Sequence, residues 1–188
     1  MFSFIENIFV VPIEYEVITK KERKLERAKM YDLQEKSSKR ICIVAGELDA
    51  KFYNEDFVRI IRKKLETIPD YQVEMLFSKD ERLNFDDKIL KIFKENRQLC
   101  ELIKDGAFND RLSLYVSKKR PENHFGIVDS SILIEKVHKQ GDNRDVLLVH
   151  NYIELVEKYK RYFNKLIVSS EDNYVVKLTY DHFKNCVA

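Results

Sequence analysis

His124, Glu135 and His138 carry the strongest chemical signal in this chain, with Glu122 just ahead of them. They lie in and around Glu122-Asn123-His124-Phe125-Gly126-Ile127-Val128-Asp129, which runs on into Ser130-Ser131-Ile132-Leu133-Ile134-Glu135. A polar head, an apolar run ending in Asp, a two-serine turn and a second apolar run predict a β-hairpin. Alternation along the first strand puts His124, Gly126 and Val128 on one face and Phe125, Ile127 and Asp129 on the other. Across the turn, Ile134 and Glu135 come back beside His124, and His138 follows Glu135 closely. A carboxylate in that place can orient or charge an imidazole for proton transfer. Two histidines and a carboxylate are also metal-ligand types, but their spacing matches no standard metal motif. A hydrogen-bonded histidine near a sheet end is the plainer reading, and neither metal nor cofactor is expected. Asp129, beside two serines, has the chemistry of a turn former that accepts local backbone N–H groups.

The same hairpin resembles the signature of the phospholipase D superfamily, in which His, any residue, Lys, four more residues and then Asp form the catalytic motif. Laid on this chain through Asp129, that pattern puts Glu122 at the nucleophilic histidine and His124 at the lysine. An apolar strand ending in Ala45-Gly46-Glu47-Leu48 is similar to the opening strand of such half-domains. A strand ending in Asn151, followed by a helix bearing Tyr162 and Phe163, is similar to their closing element, so the resemblance spans residues 38–167. It implies two motifs meeting across a two-fold axis, one imidazole attacking phosphorus, the other protonating the leaving group, and the lysines holding phosphate oxygens. A carboxylate at position 122 cannot take the nucleophile's part and would repel the phosphate. A neutral imidazole at position 124 offers one donor where a lysine offers a fixed positive charge. The hairpin is kept while the chemistry is lost.

Two basic stretches are candidates for phosphate or nucleic-acid contact. Lys118, Lys119 and Arg120 directly precede the hairpin. Residues 20–40 hold nine Lys or Arg against four Asp or Glu, with Lys20, Lys21, Arg23 and Lys24 at their head. Leu25, Ala28 and Leu33 are too sparse there for a buried helix, so an exposed helix or linker is expected. Overall the charge nearly cancels, at +2 in 188 residues, so a nucleic-acid or anionic-lipid surface must be local. The three cysteines, Cys42, Cys100 and Cys186, form no CxxC pair and read as reduced thiols. The apolar start, 1–11, is interrupted by Glu6 and Asn7 and lacks a basic head, unlike a signal peptide. No apolar run approaches the roughly 18 residues of a membrane helix. A cytoplasmic protein without a membrane partner is expected.

These residues need a scaffold, and the pattern predicts an α/β fold with a mixed β-sheet flanked by helices. Ile13, Tyr15 and Val17 alternate with Glu14 and Glu16 as a short strand, after one or two expected helical turns. Residues 41–45 form a continuous apolar strand, and positions 53, 57, 60, 61 and 65 keep helical spacing up to Pro69. Further strands are expected at 72–77, 111–117, 145–150 and 174–178, and helices from Asp86 or Asp87 to Gly106 and over 152–167. We divide the chain into an N-terminal appendage or linker (1–38), a phospholipase D-like domain (39–167) and a C-terminal tail (168–188) that packs on it and can cover a sheet edge.

Three functions follow. The first is a catalytically degenerate phospholipase D-like module acting by protein–protein association, as a homo-oligomer or with a larger protein; the resemblance implies an accessory subunit in nucleic-acid metabolism or defence. The second is a homodimeric phosphodiesterase or nuclease using His124 with Glu122 or Glu135. The third is a nucleic-acid-binding accessory protein using the two basic stretches.

Overall fold

The structure is a computed structural model, and it describes residues 12–19, 22–46, 52–78, 87, 90–91, 94–104, 106–137, 144–168, 175–179 and 181–182. In chain order its elements are β1 (Glu14–Ile18), α1 (Arg23–Lys36), β2 (Arg40–Ala45), α2 (Glu55–Thr67), β3 (Gln72–Phe77), α3 (Arg97–Lys104), β4 (Leu112–Ser117), β5 (Phe125–Val128), β6 (Ser131–Val137), β7 (Arg144–His150), α4 (Ile153–Ile167) and β8 (Val175–Lys177). The strands form one eight-stranded mixed sheet in the order β1-β7-β6-β5-β2-β3-β4-β8. β2, β3 and β4 are parallel to one another, and every other neighbouring pair is antiparallel. This is the expected α/β class with a mixed sheet, consistent with a phospholipase D-like half-domain.

The parallel strands are apolar on both faces because helices cover both. On one face Ile41, Ile43, Val73, Met75 and Leu114 meet Phe57, Ile61 and Leu65 of α2 and Leu99 and Ile103 of α3. On the other, Val44, Leu76, Ile127 and Ile132 meet Val156 and Phe163 of α4. Asn54 starts α2 by accepting from the backbone N–H groups of Asp56 and Phe57, which relieves two unpaired donors. The expected helix ending at Gly106 is described only in parts; α3 is its continuous stretch, and Gly106 leaves it at a φ of +67°. β8 pairs with β4 and covers that edge.

Helix α1 departs from the expectation of an exposed helix or linker. It packs Met30 and Leu33 against Ile18, Leu133, Val146 and Leu148 on the β6–β7 half of the sheet. Gln34 is fully buried, while Leu25 is exposed. Gly126 leaves room for the end of the Met30 side chain, whose Cε would lie 2.9 Å from a Cβ at that position.

The end of α1 is tied to the hairpin by Asp129. Its carboxylate accepts the backbone N–H groups of Ser38 (2.7 Å), Lys39 (3.0 Å) and Arg40 (2.9 Å). Asp129 does occupy the hairpin turn, at φ 52°, but these partners are 89 to 91 residues away and not the local ones expected.

Nearby, Tyr71 is fully buried with its hydroxyl on Ser37 Oγ. Burial pushes its phenol up to about 12, against the lowering effect of the Ser37 bond. The unfolded chain's tyrosine ionises near 10, so the folded state holds a proton that the unfolded state releases between those values. This contribution to stability is complete below about pH 10 and lost as pH rises toward 12, on the order of 2 kcal/mol. Burial also raises the Cys42 thiol, which adds to the alkaline loss. Urea unfolding at pH 8 and above should therefore show a shallower alkaline decline for Tyr71→Phe than for the parent. Parallel declines would remove Tyr71 from the account.

Candidate functional site

The topology brings the chemically interesting residues to one end of the sheet. β5 runs antiparallel to β2, so it begins where β2 ends. The chain finishes β4 at that same end and must cross the ends of β3 and β2 to enter β5. The crossover, 118–124, thus carries Lys118, Lys119, Arg120, Glu122 and His124 over the carboxyl ends of the parallel strands. Where strand order reverses in this way, open α/β sheets leave a crevice. Successive antiparallel steps through β6 and β7 give β1 the direction of β2, so α1 also starts at this end.

The hairpin register sets the first contact. Phe125 pairs with Ile134, so the next residues out, His124 and Glu135, face each other. The Glu135 backbone N–H donates to the His124 carbonyl at 3.0 Å. His124 Nδ1 lies 2.6 Å from Glu135 Oε2. Both side chains are mostly enclosed, with 12% and 22% of their surface exposed. The other ring nitrogen, Nε2, is buried and has no hydrogen-bond partner among the described residues.

Gly46, the residue after β2, makes this arrangement possible. A Cβ at that position would lie 2.7 Å from His124 Cε1 and 3.1 Å from Arg120 Nε, so both side chains close over bare backbone. Beside them is a cavity of about 330 Å³ walled by α1, the end of β2 and the β5–β6 hairpin. Glu26, Arg120, His124 and Glu135 give it a polar side, and Met30, Phe52, Leu133 and Val146 an apolar one. The Arg27 guanidinium sits 5.5 Å from the centroid of the Phe52 ring, and the Tyr53 ring packs edge-on against Phe57 and Phe77.

Of the candidate residues, the structure brings His124 and Glu135 into contact and Arg120 to the same cavity. Glu122 is exposed on the crossover, as are Lys118 and Lys119. Lys24 is exposed in the first turn of α1, which Arg23 begins. Lys20, Lys21 and His138 lie outside the described residues. Among the described residues no group of three His, Cys, Asp or Glu side chains could hold a metal ion. No described helix is long and apolar enough to cross a membrane. Glu26, Met30 and Phe52 escaped sequence reasoning because they come from segments distant in the chain. Gly46 had a visible signal, a glycine ending a buried strand in a chain with only four.

No family model matches the sequence, and no curated protein matches it. Solved structures do share the fold. TrmBL2, described as an archaeal chromatin protein with a novel mode of DNA binding, superposes with a TM-score of 0.56 at 15% identity, over 86% of this chain and 54% of its own. Phosphatidylserine synthase of Haemophilus influenzae Rd KW20 gives 0.56 at 14% identity, over 87% of this chain and 40% of its own. NucT from Helicobacter pylori gives 0.50 at 12% identity, over 84% of this chain and 98% of its own. The last two belong to the phospholipase D superfamily. The chain spans about half or less of the first two. At these identities the likeness is one of fold.

Proposed function

We propose that the chain is a phospholipase D-like module that works by association and does not turn over phosphodiesters. The observation that carries this reading is the state of the imidazole. Nδ1 is engaged by Glu135 and Nε2 is enclosed against Gly46, so neither nitrogen presents a lone pair to a phosphorus atom. The residue at the nucleophile's motif position, Glu122, is an exposed carboxylate that repels the substrate's charge.

Association has a surface to use. Among the described residues β1 is an outer strand, and Tyr15 and Val17 are 76% and 54% exposed on one side of it, with Ile13 just ahead at 54%. Edge strands offer unpaired backbone groups to a further strand. The partner we assign is a second copy, because a two-fold axis brings two such edges together antiparallel, continuing the pattern of β1, β7, β6 and β5. His124 and Glu135 are too enclosed to supply that contact. Sedimentation should give a dimer at tens of micromolar, converted to monomer by Tyr15→Glu, and bis-p-nitrophenyl phosphate should remain intact with or without divalent metal. Turnover that His124→Ala removes would overturn the reading, as would a parent protein that stays monomeric and binds no partner.

A second reading, nucleic-acid binding, draws support from the convergence of two basic stretches distant in sequence. Lys24 at the start of α1 and Lys118 and Lys119 on the crossover sit at the same end of the sheet, and a neighbour in fold is described as DNA-binding. Affinity for duplex DNA should then fall steeply with salt, through counterion release, and Lys118→Glu with Lys119→Glu should flatten that slope. No binding at low salt would end this reading.

A further inference from the structure

The two faces of β1 differ in chemistry. Tyr15 and Val17 lie opposite Val149 and Leu147 of β7, on the side of the sheet that α4 covers farther in, and both remain exposed. Glu14, Glu16 and Ile18 occupy the other side. There Ile18 is buried against Met30 and Leu33 of α1, and Glu16 forms an ion pair with Lys29 of the same helix. The Lys29 and Glu16 side chains keep 30% and 40% of their surface, so this ion pair is open to a neighbour. Glu14 is exposed. Among the described residues no strand lies beyond β1.

A two-fold axis restricts how two copies of such a strand can meet. Residues directly opposite one another share a face of the sheet, so the axis must pass through one residue and its copy. Glu16 is the middle residue of Glu14–Ile18, and only an axis there pairs the whole strand. Tyr15 then faces Val17 of the other copy, and Val17 faces its Tyr15, a favourable cross-strand combination of aromatic and β-branched side chains. The two Glu16 carboxylates meet at the axis, but each brings its own Lys29, so the cluster carries no net charge. Glu14 falls at each end of the pairing, beside water. An axis at Tyr15 instead sets Glu14 against Glu16 twice, with only the two Lys29 ammonium groups to offset four carboxylates. An axis at Val17 leaves Tyr15 facing Thr19, which lies beyond the strand.

On the footing of the self-association read above, we propose that two copies pair through β1 with Glu16 on the two-fold axis, Tyr15 against Val17 of the other copy, and both Lys29 ammonium groups closing the charge between the Glu16 carboxylates. Tyr15→Cys and Val17→Cys, each in a Cys186→Ala background, test the register; Cys42 and Cys100 are buried. Under oxidation a mixture of the two variants should give a disulfide-linked heterodimer, while neither variant alone links to itself. Opposite residues stand about 4.5–5.5 Å apart and diagonal ones about 7–8 Å, and a disulfide spans only the former. Sedimentation tests the charge: Lys29→Glu should raise the dimer dissociation constant about tenfold or more, and adding Glu16→Lys should restore the dimer. Tyr15→Cys that links to itself, or a mixture that does not link while the parent is dimeric, overturns this register and leaves self-association standing. So does a Lys29→Glu protein that dimerises like the parent, or a charge swap that fails to restore the dimer. A monomeric parent, including one that dimerises only after residues 1–11 are removed, overturns both.

Discussion

Replacing Asp129 by alanine should cost about 3 kcal/mol of folding stability, a large share of a small domain's total. The carboxylate accepts three backbone N–H groups at the entry to β2, and each such charge-assisted bond is worth about 1.5–3 kcal/mol when it cannot be replaced. Ser38 and Lys39 are exposed, so water recovers part of two of them; Arg40 is half-buried and recovers less. Alanine at a φ of 52° adds strain that Asp and Asn tolerate better. Asp129→Asn therefore separates the two effects, keeping the backbone comfortable while offering one carbonyl oxygen in place of two. It should lose about half as much, on the same reckoning. Urea unfolding of the three proteins checks this, and a loss under about 1 kcal/mol for alanine would mean that the link between α1 and the hairpin is not held by this carboxylate.

Phe163→Ala should be more damaging, at about 4 kcal/mol, within the usual range for emptying a fully buried aromatic site. Phe163 has no exposed surface and meets Tyr115 edge-on at 6.1 Å between ring centroids. It and Val156 are the buried residues of α4, so one truncation removes much of what holds that helix to the sheet. Equilibrium unfolding monitored by tyrosine fluorescence provides the measurement. A cost below about 1.5 kcal/mol would contradict this docking of α4.

The parts of this molecule legible from sequence are those with a strict period. Phe125 and Ile127 against Gly126 and Val128, closed by Asp-Ser-Ser, specify a hairpin and even which residue Glu135 faces. The run 41–45 and the helical spacing of 57, 61 and 65 specify a buried strand and its covering helix for the same reason. Helix α1 was harder to place because its buried side is mixed. Met30 and Leu33 share it with Gln34, an amide that no hydrophobic pattern counts. The site was legible only in its local half. His124 and Glu135 are joined by a turn, whereas Arg120 meets them through a loop that crosses the ends of β3 and β2, and Glu26 and Gly46 through the packing of α1 and β2, which no spacing rule encodes.

The pairing of β1 with β7 has a consequence for how the protein is made. Glu14 lies opposite His150, so β1, once synthesised, finds this partner only when β7 has followed it out of the ribosome. At about 5–20 residues per second, that leaves β1 waiting for roughly 7 to 27 seconds. Throughout, Tyr15 and Val17 are on offer to any passing strand or chaperone. Nascent chains arrested before β7 should accordingly be bound by chaperones, and chains extended past it should be released.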